Sequence, residues 1–446
     1  MTAGRTVTAM AAGERSASRL VLFTASYPTG AGETFLADEL PWLAAAFDPV
    51  VVVPSRLEAT RRAVPPGIAV DERWAAVYRR IVPERWADAA AGLRTPAWWA
   101  DVVGRLPVTA HKVSLRSAML YARRARALAA WLPAALPPAP GPTLYYSYWL
   151  GPLTYGLGRA RRRLGPAAIV SRAHGGDVLE DRYRPPYLPL RAATIAAADG
   201  IFPVSDAGRA ALLRRAPAAA GRIVTHRLGV PDPGLDAAPS ADGGLRIVTC
   251  GGCRPVKRLD VAVAAIAALA AAEPGRPIAW DHFGDGPTRP AVEALANASL
   301  GPNVAWTLHG HVEGAQIAAH YAARPVDVCL NTSASEGVSV ALMEAQSYGV
   351  PCVATAVGGT PEIVDDGNGR LVAADASAAA IAAALAAFRP GTPAAAARAA
   401  AKASWRARYR AEANYPAFAE ALRATLDEAV ARRGSPARPG DAGAAR

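Results

Sequence analysis

No apolar run in this sequence approaches the roughly 20 residues a helix needs to cross a bilayer, although hydrophobic residues, inflated by alanine, make up 52% of it. Cysteine is scarce too, with four in 446 residues. That excludes a disulfide framework. Cys250-x-x-Cys253 stands without a second pair or spaced histidines, so reduced thiols at a strand end are the expectation. The opening stretch MTAGRTVTAMAAGERSAS has no continuous apolar core, so no secretory signal is expected and the protein reads as cytoplasmic. No Asp-x-Asp pair closes a strand, so no obligatory divalent metal is expected. Acidic residues run short in the first half. Residues 1–240 hold 30 Lys+Arg against 18 Asp+Glu, whereas the remainder holds 19 of each, so the net charge of +12 belongs to the first half. Such a bias suits an anionic partner. No nucleic-acid module is visible, so an anionic membrane surface, with a peripheral place on the inner face of the cell membrane, is the better candidate; a GC-rich genome, which favours Arg and Ala, explains the same bias without a partner.

What the chain does have is alternation. Apolar runs at 19–25, 50–54, 144–148 and 168–172 read as buried strands, and a glycine turn, SYPTGAGETF with Gly30 and Gly32, leads into a helix from Phe35 to about Ala46. Residues 61–135 read as helical and basic. If Thr109–Leu132 is one helix, Lys112, Arg116, Arg123 and Arg126 share a side beside Val113, Leu120 and Trp131, a pattern that fits a bilayer surface or an ordinary packed helix. The Pro/Gly/Asp-rich segment 228–244 marks a linker. Beyond it LRIVTCGG opens a second alternating set, and Ser404–Arg432 reads as one last long helix. This is an α/β chain with two doubly wound domains. The first spans 17–235 plus 404–432, the second 243–403, and 433–446 reads as a disordered tail.

The segment that organises the rest is CLNTSASEGVSVALMEAQSYGVPCVATAVGGTPEIVDD, residues 329–365. A strand at Val326–Leu330 enters the polar turn Asn331–Ser335, whose side chains suit helix capping. A helix is expected from Val338 to Tyr348, then Gly349-Val350-Pro351 and a strand at Cys352–Val357. The helix start offers unpaired N–H groups as a phosphate seat. Glu336 and Glu344, slightly over two turns apart, would lie on one side and accept hydrogen bonds from vicinal hydroxyls. Phosphate donors between carboxylates suit a nucleotide sugar. Elsewhere His174-Gly175-Gly176-Asp177 follows a strand, where a histidine is either a site residue or a cap, and IAWDHFGDGP places a glycine turn at Gly284–Gly286.

Glu336, seven residues and Glu344 within SEGVSVALMEAQSYGVPCVAT…GGTPEIV resemble the signature of retaining glycosyltransferases of family 4, which have the GT-B fold. YP…ETF and SRAHGGDVLEDRYRPPYLPL…IFPVSDAGRAAL resemble its polysaccharide-assembly branch. The resemblance implies two Rossmann-like domains facing a cleft, an N-terminal one for the acceptor and a C-terminal one for the nucleotide sugar, with a C-terminal helix crossing back. It implies a UDP- or GDP-sugar donor, a glycan or lipid-linked acceptor, and no other cofactor. His174, Lys257 and Glu336 would carry the chemistry. Arg254, Lys257, Gly284, Glu336, Gly337, Val338, Ser339 and Glu344 would hold the donor, and Gly30, Gly32 and Asp177 would face the acceptor. One departure stands out. The family's phosphate-binding arginine falls on Gly252, and Arg254 or Arg258 would have to compensate. A binding or scaffold protein without turnover, a sugar-nucleotide epimerase and a phosphorylase are the alternatives, the last two without a visible motif.

Overall fold

The computed structural model describes residues 18–30, 32–81, 85–389 and 394–434. The described residues up to Arg172, with 189–201 and those from Ala417 on, form one compact unit, and 173–188 with 202–416 form the other. Residues 173–188 and 202–235, read from the sequence with the first half, thus cluster by contact with the second.

The first sheet contains β1 (Arg19–Thr24), β2 (Val50–Pro54), β3 (Ile68–Val70), β4 (Thr143–Ser147), β5 (Ala167–Ala173) and β6 (Gly200–Pro203), in the order β3-β2-β1-β4-β5-β6. The second contains β7 (Leu245–Cys250), β8 (Ile278–Phe283), β9 (Val304–Gly310), β10 (Val328–Asn331), β11 (Cys352–Thr355) and β12 (Gly369–Val372), in the order β12-β11-β10-β7-β8-β9. Both sheets are parallel, which explains why their strands read as continuous apolar runs: helices cover both faces. Val21, Phe23, Val53, Tyr145 and Ile169 pack into one core with Leu128 and Leu132, and Ile247, Trp280, Val328 and Val353 into another. Each order is the doubly wound 3-2-1-4-5-6 arrangement. Its reversal points, between β1 and β4 and between β7 and β10, are where open sheets leave a crevice beyond their strand ends.

Several elements differ from the reading above. The helix before β11 runs Val340–Ser347, two residues later than expected at its start. Residues 61–135 contain the strand β3 as well as helices at Arg73–Arg79, Arg85–Leu93, Pro96–Gly104, Leu106–Thr109 and Lys112–Ala135. The basic face expected on the last of these divides, with Lys112, Val113 and Arg116 exposed and the rest turned inward. Arg123 pairs with buried Asp88, Arg126 donates to the Arg94 carbonyl, and Leu120 and Trp131 pack on the core. The expected single C-terminal helix is two, Ala394–Arg408 and Ala411–Gly434. The break is pinned from outside, where Val230 bridges Arg410 and exchanges backbone hydrogen bonds with Tyr409 and Ala411. Arg433 lies in that helix and pairs with Asp199. Residues 435–446 of the expected tail, like the N-terminal stretch, fall outside the described residues. Among the described residues no helix is long and apolar enough to cross a membrane.

Candidate functional site

The reversal point of the second sheet brings together the loops that follow β7 and β10. After β7, Gly251 adopts φ 145°, a conformation that favours glycine, and it packs against Lys257, whose Cε would lie in ordinary contact, 3.4 Å, from a Cβ there. The loop after β8 is knitted to it. Gly251 donates to the Phe283 carbonyl and Cys253 to that of Asp285, both at 2.9 Å. Gly284 spends its own N–H on Gly310, and a Cβ there would strike the Gly251 carbonyl at 2.0 Å. Gly284 therefore packs the loop that carries Lys257.

Lys257 Nζ lies 2.5 Å from Glu336 Oε1, an ion pair with the carboxylate buried and the ammonium partly exposed. Ser333 Oγ donates to the same oxygen at 2.7 Å, and Asn331 Nδ2 approaches it at 3.4 Å. The polar turn expected to cap the helix instead ties the two loops together. Thr332 donates to the carbonyls of Lys257 and Arg258, Ala334 donates to that of Val256, and Thr355 donates to the Ser333 carbonyl. Glu336 precedes the helix, so the expectation that it shares a helical side with Glu344 is corrected. Glu344, half-buried in the second helical turn, sits close enough to Cys250 and Tyr348 for its charge to push their pKa values up, after the larger effect of burial.

Ser339 is the N-cap of the helix but makes no side-chain cap, because its hydroxyl accepts from Asn331 at 3.0 Å. Among the described residues no side chain caps this helix start, which leaves its first-turn N–H groups suited to an anion. The backbone at Glu336–Gly337, before the half-buried Val338, is hemmed in by other glycines. A Cβ on Gly175 would lie 2.4 Å from Gly337 N, one on Gly358 1.7 Å from the Glu336 carbonyl, and one on Gly359 2.2 Å from the Gly337 carbonyl. Beside this contact His174, Gly175, Ser205, Glu336, Gly337 and Gly359 line a narrow cleft of about 10 Å³, room for about one water molecule.

His174 caps the short turn Gly175–Val178. Its side chain accepts from the Asp177 N–H, and the Asp177 carboxylate accepts from the His174 N–H. A ring nitrogen that accepts carries no proton, so the neutral imidazole presents its N–H at the other nitrogen. Asp177 is committed to the cap on at least one oxygen. Of the two candidate replacements for the arginine at Gly252, Arg258 donates to the Ala374 carbonyl at 2.6 Å. Arg254 is exposed, folds its Nε to within 3.6 Å of where a Gly252 Cβ would stand, and has no ion-pair partner among the described residues. Gly30 and Gly32 lie in the first unit, in the loop after β1, where their carbonyls accept the Arg62 guanidinium.

All four cysteines are free. Burial raises the thiol pKa values of Cys250 and Cys253, which disfavours the nucleophilic thiolate. Cys253 Sγ is 3.4 Å from His282 Nε2, and burial, reinforced by Arg289 and His309, holds that imidazole down to about 4. Among the described residues no group of three or more His, Cys, Asp or Glu is placed to hold a metal ion.

Residues 244–388 match the family model of glycosyl transferases group 1. The match spans β7 to β12, the sheet whose reversal point carries Lys257 and Glu336. No curated relative matches the chain in sequence. Among solved structures, sucrose-phosphate synthase from Thermosynechococcus elongatus superimposes with a TM-score of 0.65 at 18% identity, covering 92% of this chain and 100% of that one. The lipopolysaccharide outer core galactosyltransferase WaaB gives 0.61 at 15%, covering 93% and 99%. HepE of Anabaena, solved with UDP-glucose, gives 0.58 at 16%, covering 91% and 99%. At such identities these likenesses show the fold, which is GT-B. Fold and family match together support glycosyl transfer.

Proposed function

We propose that the chain is a retaining glycosyltransferase that moves a sugar from a nucleoside diphosphate sugar to a hydroxyl of a glycan or lipid-linked acceptor. The observation that carries this reading is the meeting of Lys257 and Glu336 beside an uncapped helix start at the β7/β10 reversal point. The helix N–H groups and Lys257, with Arg254 standing in at Gly252, hold the diphosphate and take up the negative charge that grows on it as the glycosidic bond breaks. Glu336 and the His174 ring N–H orient the sugar hydroxyls, and Glu344 the ribose. The acceptor oxygen bonds the anomeric carbon on the face the diphosphate leaves, and its proton passes to the departing phosphate oxygen. A nucleophilic carboxylate partner for Glu336 has no place in this scheme, in contrast with retaining glycosidases. HepE with UDP-glucose supports a UDP-linked donor. The proposal includes independence from divalent metal and a cytoplasmic site of action at the inner face of the membrane.

The test is release of nucleoside diphosphate from a panel of nucleotide sugars. One donor should be hydrolysed slowly. Lys257→Ala and Glu336→Ala should each reduce that rate by about 10²–10³-fold, the cost of removing one stabilising group from a charged transition state, and chelation should leave it unchanged. Failure of every donor to bind in calorimetry would remove the site proposed here. Binding with no turnover in the presence of acceptors would favour a scaffold, a reading supported only by Gly252.

A further inference from the structure

The first unit carries an apolar surface that its other described residues leave uncovered. Trp86 is 86% exposed, and Leu93, Trp99, Val103, Leu106 and Val113 are 48% to 57% exposed. These residues are not scattered. Trp86 and Leu93 are seven apart on the helix Arg85–Leu93, and Trp99 and Val103 four apart on Pro96–Gly104, so each pair shares a helical face. The Trp99 indole N–H donates to the Leu93 carbonyl, which joins the two helices. Exposed apolar residues become informative when they are contiguous.

Charge decides what covers them. Arg94, Lys112 and Arg116 are exposed along the same stretch and Arg105 is half-exposed. Residues 86–116 contain only two acids, Asp88 and Asp101. Both are turned to internal work: Asp88 is buried against Arg123, and Asp101 accepts the Leu190 backbone N–H at 3.0 Å. An apolar patch fringed by cations, with its carboxylates drawn inward, fits a partner that is apolar beneath and anionic throughout. Tryptophan is at home at the boundary between those layers. We infer that the helices from Trp86 to Arg116 dock the protein on an anionic lipid bilayer, lying on it without crossing. This names the surface behind the membrane location proposed above and rests on no step of the proposed catalysis.

Sedimentation of the purified full chain with phosphatidylcholine vesicles, with and without phosphatidylglycerol, tests this. The chain should partition onto phosphatidylglycerol vesicles at low salt and about tenfold less at high salt, since screening removes the lysine and arginine attraction. Trp86→Ser with Leu106→Ser, and separately Lys112→Glu with Arg116→Glu, should each weaken binding at least about tenfold. Circular dichroism and donor hydrolysis should stay unchanged in both variants. The inference is overturned by absence of binding at low salt, by equal binding to pure phosphatidylcholine, or by variants that bind as the parent does.

Discussion

At the scale of single residues, the site turns on one oxygen. Glu336 Oε1 receives Lys257 Nζ and Ser333 Oγ together. A diphosphate drawing Lys257 away would leave Ser333 to hold the carboxylate toward the sugar. A hydrogen bond to a charged group contributes about 1.5–3 kcal/mol, so Ser333→Ala should lower kcat/KM about 10- to 100-fold, with Ser333→Thr recovering most of the loss. A serine that served only the fold would lower the melting temperature and leave the kinetics alone. Lys257 and Glu336 were legible because a motif fixes their spacing. Ser333 was not, since its partner across the loop is set by how the turn closes, and its residue type equally suited a cap. His282 supplies a test of stability. Its pKa is held down to about 4, mainly by burial, against 6.5 for the exposed ring. The unfolded chain therefore takes up the proton first as pH falls. Stability should decline between pH 6.5 and 4 by about 3 kcal/mol and level off below. Denaturant melts of His282→Gln should show a shallower decline across that window; an unchanged slope would remove His282 as its cause.

At the scale of elements, strands were read well because a parallel strand covered on both faces is an unbroken apolar run, as at Leu20–Phe23 and Val50–Val53. β3 was missed because Ile68–Val70 is three residues long in a proline-bearing, basic stretch. The C-terminal break at Tyr409–Arg410 was missed because its cause, Val230, is distant in sequence. The glycines of GGTPEIV and HGGD were visible, but not that both sets close on the Glu336–Gly337 backbone. That closure has a measurable consequence. Gly358 sits at φ 52° with the Glu336 carbonyl 1.7 Å from where a Cβ would stand, and Gly275 has nothing within 4 Å. Gly358→Ala should therefore push the Glu336 segment out of place. The expected outcome is donor hydrolysis down at least about tenfold, with a lowered melting temperature, since the left-handed conformation alone costs about 1–2 kcal/mol. Gly275→Ala should change neither. Equal activity in the two variants would mean that the glycine contact does not shape the site.

At the scale of the molecule, each unit repeats one plan and ties its reversal point with a carboxylate. In the first, Glu33, at φ 53°, accepts the N–H groups of Ala25, Ser26 and Tyr27, and the Trp149 indole N–H at 2.6 Å joins the loops after β1 and β4. In the second, Lys257 and Glu336 join the loops after β7 and β10. The first tie is spent on backbone donors, whereas the second holds a cation that a ligand can claim. Beneath the first lies an ion pair of Glu39 and Arg172, both fully buried and 3.0 Å apart, with the Tyr146 hydroxyl donating to Glu39 and the guanidinium 3.8 Å over the Phe418 ring. Glu39→Ala would strip the buried guanidinium of that carboxylate and should cost the first unit about 3–5 kcal/mol. A nucleoside diphosphate at a hundred times its Kd should stabilise the second by about 2.7 kcal/mol. Hydrogen exchange separates the two effects. The nucleotide should slow exchange in the loops after β7 and β10 and at the start of Val340–Ser347, and Glu39→Ala should speed it in β1, β2 and β4 with donor affinity kept. Protection by nucleotide in β1, β2 and β4 alone would place the donor outside the Lys257–Glu336 site. A loss of donor affinity in Glu39→Ala matching that of Lys257→Ala would show that the buried pair serves binding as well as the fold.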